Sequence, residues 1–124
     1  MTGQGRTPGP DHPITVEPSG ARVVARVGDR VVADTEAALV LREAAYPPVH
    51  YVPLADVDPG VLRPSPTTTH CPYKGTATYR TLAVGEGEEL VDAVWAYEEP
   101  YPAVAEIAGH VAFQPDKVRV TVES

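Results

Sequence analysis

Alternation of apolar and polar positions, the period-two signature of a half-buried strand, recurs along most of this chain. Ala21, Val23, Ala25 and Val27 alternate with Arg22, Val24 and Arg26. Gly28-Asp29 then supplies a two-residue hairpin turn with Gly free to take a positive φ, and Val31 to Asp34 return. Residues 37–43 have a helix-favouring composition. Yet Leu39, Leu41 and Glu43 alternate with Val40 and Arg42, and the run ends before Pro47-Pro48, so a strand is expected there. Val49 to Pro53 is a β-rich run followed by a polar turn at 55–60. Leu62 to Thr69 is extended, His70 to Gly75 is a turn with Pro and Gly in turn-forming positions, and Thr76 to Val84 is a strand. After the loop Gly85-Glu86-Gly87-Glu88, the next strand sets Val91, Ala93, Trp95 and Tyr97 on one face. The last strand alternates Val118, Val120 and Val122 against Lys117, Arg119, Thr121 and Glu123.

One helix is predicted. Pro100 and Pro102 sit where a first turn tolerates missing donors, Ala103, Val104, Ile107 and Ala108 form an apolar stripe, and Gly109 ends it. Seven or so short strands with one short helix make a mainly β domain. With 124 residues there is room for one domain, which we place at 21–124. Residues 1–20 read as a flexible arm rich in Gly and Pro, in which Ile14 and Val16 alternate with polar neighbours and could add an edge strand.

Composition narrows the chemistry. A chain of this size buries roughly 65% of its unfolded surface, enough for a core without disulfides. The lone Cys71 excludes an intrachain disulfide, argues for a reducing and hence cytoplasmic setting, and excludes the usual structural zinc sites. His12, His50, His70 and His110 are scattered, so no metal is expected. A formal net charge of −7 disfavours nucleic acid, because phosphate binding rests on Lys and Arg. No stretch approaches the length of a membrane span and no apolar leader opens the chain, so no membrane partner is expected. The expected partner is a small molecule, with a homodimer left open, and the residues name no cofactor.

Reactive side chains gather in Thr69-His70-Cys71-Pro72-Tyr73-Lys74-Gly75. Cys71 would be a nucleophile if its pKa were lowered, and Lys74 could supply the positive charge. In an extended segment His70 and Cys71 diverge, whereas Thr69 and Cys71 share a face. The structural alternative is a proline turn whose cysteine is a small buried hydrophobe. Asp56-Val57-Asp58 has a spacing that could hold Mg²⁺, or is a solvated turn before Pro59-Gly60. With only one Trp, one Phe and six Tyr in the chain, Trp95 and Tyr97 line either a pocket or the core.

Several motifs occur in one order: Pro47-Pro48-Val49-His50-Tyr51-Val52-Pro53, Asp56-Val57, Thr69 to Gly75 with Ala77 and Tyr79, Ala93-x-Trp95-x-Tyr97-Glu98-x-Pro100, and Ile107-x-Gly109-His110-Val111-Ala112-Phe113. The set resembles the domain-of-unknown-function family numbered 427 over about Arg22 to Val122. The resemblance implies a β-tent architecture, two antiparallel sheets meeting at an angle, here without the zinc that many β-tent relatives carry. The family's common label is nucleotidyltransferase, yet the Gly-Ser and paired-carboxylate site of true nucleotidyltransferases is absent. Arg80 and Gln114 stand where the family usually has Trp and Tyr, which implies a more polar cleft in this member.

Two functions follow as expectations. One is a small-molecule enzyme with Cys71 or Lys74 reactive, Asp56 or Glu98 as acid–base or orienting group, and Tyr51, Thr69, Tyr79, Trp95, Tyr97 and Phe113 holding the substrate. The other is a non-catalytic binding or protein-interaction module, in which Lys74, Glu98 and Asp56 form a structural polar network.

Overall fold

The alternating runs pair with one another, and short turns set most of the order. The computed structural model describes residues 9–10, 12–85 and 87–123. Among these lie ten strands: β1 (Ile14–Pro18), β2 (Arg22–Val27), β3 (Arg30–Thr35), β4 (Leu39–Glu43), β5 (Val49–Pro53), β6 (Leu62–Cys71), β7 (Gly75–Gly85), β8 (Glu88–Ala96), β9 (His110–Phe113) and β10 (Arg119–Glu123). Seven form a sheet in the order β1-β4-β5-β9-β8-β7-β6, and three form a second in the order β10-β2-β3. Every ladder is antiparallel. The fold is mainly β, as the alternation and the family resemblance both imply.

Period two gives the two faces of the large sheet different neighbours. On one face Val52, Leu82, Val94 and Val111 pack with Val23, Ala25, Val32 and Ala33 of the small sheet, forming the inter-sheet core. On the other face Leu41, Tyr51, Ala77, Tyr97 and Ala112 pack with Val104 and Ile107, and no small-sheet residue takes part. This second, aromatic face carries the candidate chemistry.

Three local differences from expectation have physical reasons. The expected helix is instead a 3₁₀ segment, Pro102–Ile107, interrupted at Val104 with φ −128° and ψ 29°. Six residues behind two prolines are too few to nucleate an α-helix, and the Tyr101 N–H is already bound to the Lys74 carbonyl at 3.0 Å. Two shorter 3₁₀ turns, Leu54–Asp56 and Pro59–Val61, occupy the polar turn after β5.

The second difference lies in β8. Arg80 pairs with Val94 and Leu82 with Leu90, so Val91, Asp92 and Ala93 together oppose Thr81. Asp92 takes a positive φ of 56°. Its N–H donates to the Thr81 hydroxyl, and its carboxylate accepts from the Ser65 hydroxyl. Across this bulge the alternation slips. Val91 is exposed, Ala93 joins the inter-sheet core, and only Trp95 and Tyr97 keep the shared face that was expected of all four.

The third is at the N-terminus. Ile14–Pro18 pairs with β4 from Ile14↔Glu43 to Pro18↔Leu39, so the sheet takes in part of the segment expected as an arm. Residues 1–8 and 11 of that arm lie outside the described residues.

Candidate functional site

Register lines up the rings on the aromatic face. Tyr79 pairs with Trp95 and Trp95 with Ala112, while Val52 opposite Val111 sets Tyr51 beside Ala112. Tyr51, Ala112, Trp95 and Tyr79 thus form one row across four strands. Because Ala112 is small, the flanking rings reach across it. The Trp95 indole N–H donates to the Tyr51 hydroxyl at 3.2 Å, with the rings edge to face at 88°. The Tyr79 hydroxyl shares a hydrogen bond with Thr69 Oγ1 at 2.9 Å. In the next row Thr69 opposes Ala77, and Thr78 opposite Ala96 sets Tyr97 beside Ala77.

Cys71, at the end of β6, packs against this same cluster. Its neighbour His70 is exposed and bonds Thr76, so the two side chains diverge as an extended strand requires. The β6–β7 turn closes at Gly75, whose φ of +112° an L side chain would resist. That turn carries Lys74 to Glu43, with Nζ to Oε1 at 2.5 Å and the ammonium 5.9 Å from the centre of the Tyr97 ring. The other Glu43 oxygen lies 2.7 Å from His12 Nε2, and the His12 ring stacks on Tyr73 at 3.9 Å. The Lys74 and Glu43 side chains are only 14% and 12% exposed. This network ties the chain before β1, the end of β4 and the β6–β7 turn together.

The phenols feel one another. Burial pushes the Tyr51 hydroxyl up to about 12; the Trp95 hydrogen bond pulls it back, while Glu43, Cys71 and Tyr79 add to the rise. Burial pushes the Tyr97 hydroxyl higher still, with Tyr51, Cys71, Tyr79 and Glu43 adding. Groups that shift one another in this way lie within electrostatic reach. Both phenols are neutral at pH 7. Tyr97 is 7% exposed, yet among the described residues its hydroxyl makes no hydrogen bond. A buried polar atom without a partner is rare in native structures.

Of the residues expected to form a site, Tyr51, Thr69, Cys71, Lys74, Tyr79, Trp95 and Tyr97 come together on this face. Three do not. Asp56 sits on the Leu54–Asp56 turn and accepts from the Thr35 hydroxyl of β3 at 2.6 Å. Its neighbour Asp58 caps the following turn through the Gly60 N–H and pairs with Arg30. Glu98 is exposed, accepting from the Thr78 hydroxyl at 3.0 Å with Arg80 4.0 Å away. Phe113 belongs to the inter-sheet core. The polar network expected of Lys74, Glu98 and Asp56 is therefore one of Lys74, Glu43 and His12. Sequence reasoning missed Glu43 and His12, since only the β1–β4 register brings them together.

A hollow of about 650 Å³ is lined by residues of both sheets, among them His50, Trp95, Phe113, Arg26, Lys117 and Arg119. Trp95 is common to this hollow and the aromatic face. Burial, helped by Arg42, holds the His50 imidazole below its ordinary value, so it is neutral at pH 7. Arg26 is held by Thr121 and Glu123, and Lys117 donates to the Val91 carbonyl at 2.8 Å. Among the described residues no three His, Cys, Asp or Glu side chains gather as a metal-binding group, and no helix is long and apolar enough to cross a membrane.

Comparison with known families matches residues 15–124 to a domain of unknown function (DUF427). No curated protein matches the chain. With almost its whole length covered, the chain belongs to the DUF427 family.

Proposed function

We propose that this member of the DUF427 family binds a small molecule on the face of its seven-stranded sheet that carries Tyr51, Tyr79, Trp95 and Tyr97. The observation that carries the reading is the Tyr97 hydroxyl, which belongs to a residue only 7% exposed, lies within electrostatic reach of Tyr51, Cys71 and Tyr79, and has no partner among the described residues. Packing alone would be served as well by Phe at this position, so the hydroxyl is available to a ligand. Trp95 supplies a flat, partly exposed wall beside it. Lys74 is a charged support in this reading. Its ammonium is committed to Glu43 at 2.5 Å, in a charge-assisted hydrogen bond that occupies the nitrogen. The single cysteine suits a reducing, cytoplasmic setting.

Cys71 gives the test, because it is partly exposed and packs beside the rings. Small aromatic fragments are screened by ligand-observed NMR, and each hit is then tested for slowing alkylation of Cys71 by iodoacetamide. Hits on this face slow the alkylation and are lost in Trp95→Ala. If every hit leaves the alkylation rate unchanged, or if no fragment binds, the reading is wrong.

A further inference from the structure

We infer that the ligand of the aromatic face is a flat, neutral molecule that offers a carbonyl-type oxygen to the Tyr97 hydroxyl, with its ring against Trp95. The inference rests on the site proposed above and adds the ligand's chemical class.

Hydrogen-bonding capacity sets the first part. The Trp95 indole N–H is already given to Tyr51, and the Tyr79 hydroxyl is shared with Thr69. The Tyr51 hydroxyl accepts from Trp95 and donates to no described group, and among the described residues the Tyr97 hydroxyl is unpartnered. Unused donors on the face are thus the Tyr51 and Tyr97 O–H groups, with the weaker Cys71 S–H beside them, and the lone pairs left on the two phenol oxygens are poorer acceptors because they are shared with the ring. Donors call for an acceptor.

Charge sets the second part. Lys74, whose ammonium lies 5.9 Å from the centre of the Tyr97 ring, is neutralised by Glu43 at 2.5 Å, and Glu43 receives a further hydrogen bond from the His12 ring. With Lys74 so paired, the one cation placed against Tyr97 among the described residues is not free to draw an anion there. The negative field of Glu43 is felt at both phenols, since it helps to push each of them up. A carboxylate or phosphate placed there meets that same field and also loses its hydration. A neutral carbonyl accepts the same hydrogen bond without either cost. The hollow between the sheets is basic instead, because Arg26, Lys117 and Arg119 line it against one carboxylate, Asp116. Among the described residues the Arg119 side chain has no hydrogen bond or ion pair, and Arg119 stands directly opposite Arg26 in the ladder. An anion would favour the hollow and a neutral carbonyl compound the face. Charge preference therefore reports location.

The test pairs benzamide with benzoate, which share a ring and differ in charge. Affinities come from NMR titration, and location comes from slowing of Cys71 alkylation. Benzamide is expected to bind at least about tenfold more tightly than benzoate and to protect Cys71. Tyr97→Phe is expected to weaken it by roughly five- to tenfold, the effect of one hydrogen bond. Glu43→Gln, which leaves Lys74 without its counter-charge, is expected to shift the preference toward benzoate. Tyr97→Phe reports on the same contact should the glutamine variant fold poorly. If benzoate binds more tightly and protects Cys71, the chemical class is wrong and the site stands. If benzoate binds more tightly and leaves Cys71 unprotected, the ligand belongs in the hollow. If neither compound protects Cys71, the class and the site fall together. An unchanged affinity in Tyr97→Phe removes the proposed contact.

Discussion

Single atoms separate the two buried tyrosines. The Tyr51 hydroxyl is the acceptor for the Trp95 N–H, whereas the Tyr97 hydroxyl serves no described group. Removing an acceptor from a buried donor leaves that donor unsatisfied, at a cost of about 1–3 kcal/mol. Removing a hydroxyl that had no partner takes away a desolvated group and nothing else. Tyr51→Phe is therefore expected to destabilise the domain by roughly 1–3 kcal/mol, and Tyr97→Phe to leave stability unchanged or slightly raised. Urea unfolding of the two variants measures both. Equal losses would mean that Tyr97 is bonded in solution and would remove the basis of the ligand contact. The pair is informative because each substitution deletes the same atom from neighbouring rows of one sheet face.

Elements were legible where apolar and polar residues alternate cleanly, as in β10, and where turn chemistry is local, as at Gly28-Asp29, whereas the register slip of β2 against β3 between Ala25 and Arg26 left no such mark. The β8 bulge was not legible, since Asp92 is its only local mark and the apolar residues around it alternate as in a regular strand. Trp95 and Tyr97 were still placed on one face correctly because alternation resumes after the bulge. The Lys74–Glu43–His12 network was hidden for a different reason. Its members lie 31 residues apart in sequence at each step, and pairing of β1 with β4 brings them together. This network should show in acid. Burial pushes the Glu43 carboxyl up, but hydrogen bonds from Lys74 and His12 outweigh it, so the group titrates below its ordinary value. A carboxyl lowered by folding stabilises above its unfolded pKa, about 4.3, and that stabilisation is lost as pH falls through the folded value. Asp34, Asp58 and Asp92 are lowered too, so the wild-type profile alone cannot isolate Glu43. Lys74→Met is expected to cost roughly 1–3 kcal/mol at pH 7, below the full cost of breaking a buried pair because both side chains keep some solvent. It should also make stability fall less steeply below about pH 4. A variant whose pH profile stays parallel to wild type down to acid would show that the ion pair contributes nothing to folding.

At the scale of the molecule, one sheet serves two cores. The inter-sheet core draws on both sheets, and the aromatic cluster draws on the opposite face of the large sheet alone. The backbone of β5, β8 and β9 is common to both, since Tyr51 and Val52, Trp95 and Val94, and Ala112 and Val111 are neighbours pointing to opposite sides. Side chains that share neither a face nor a partner couple weakly, and substitutions at such positions add to within about 0.3–0.5 kcal/mol. Val23, fully buried in the small sheet, is the test position in the first core. Val23→Ala is expected to cost roughly 2 kcal/mol by losing buried methyl groups and leaving a small cavity. It should leave the benzamide affinity of the folded protein within about twofold of wild type, and its stability effect should add to that of Tyr97→Phe within the same 0.5 kcal/mol or so. A double-mutant cycle read by urea unfolding and by titration decides the matter. Coupling well above that margin would mean that the small sheet sets the shape of the aromatic face through the shared strands. The ligand site would then have to be understood as a property of the whole two-sheet assembly.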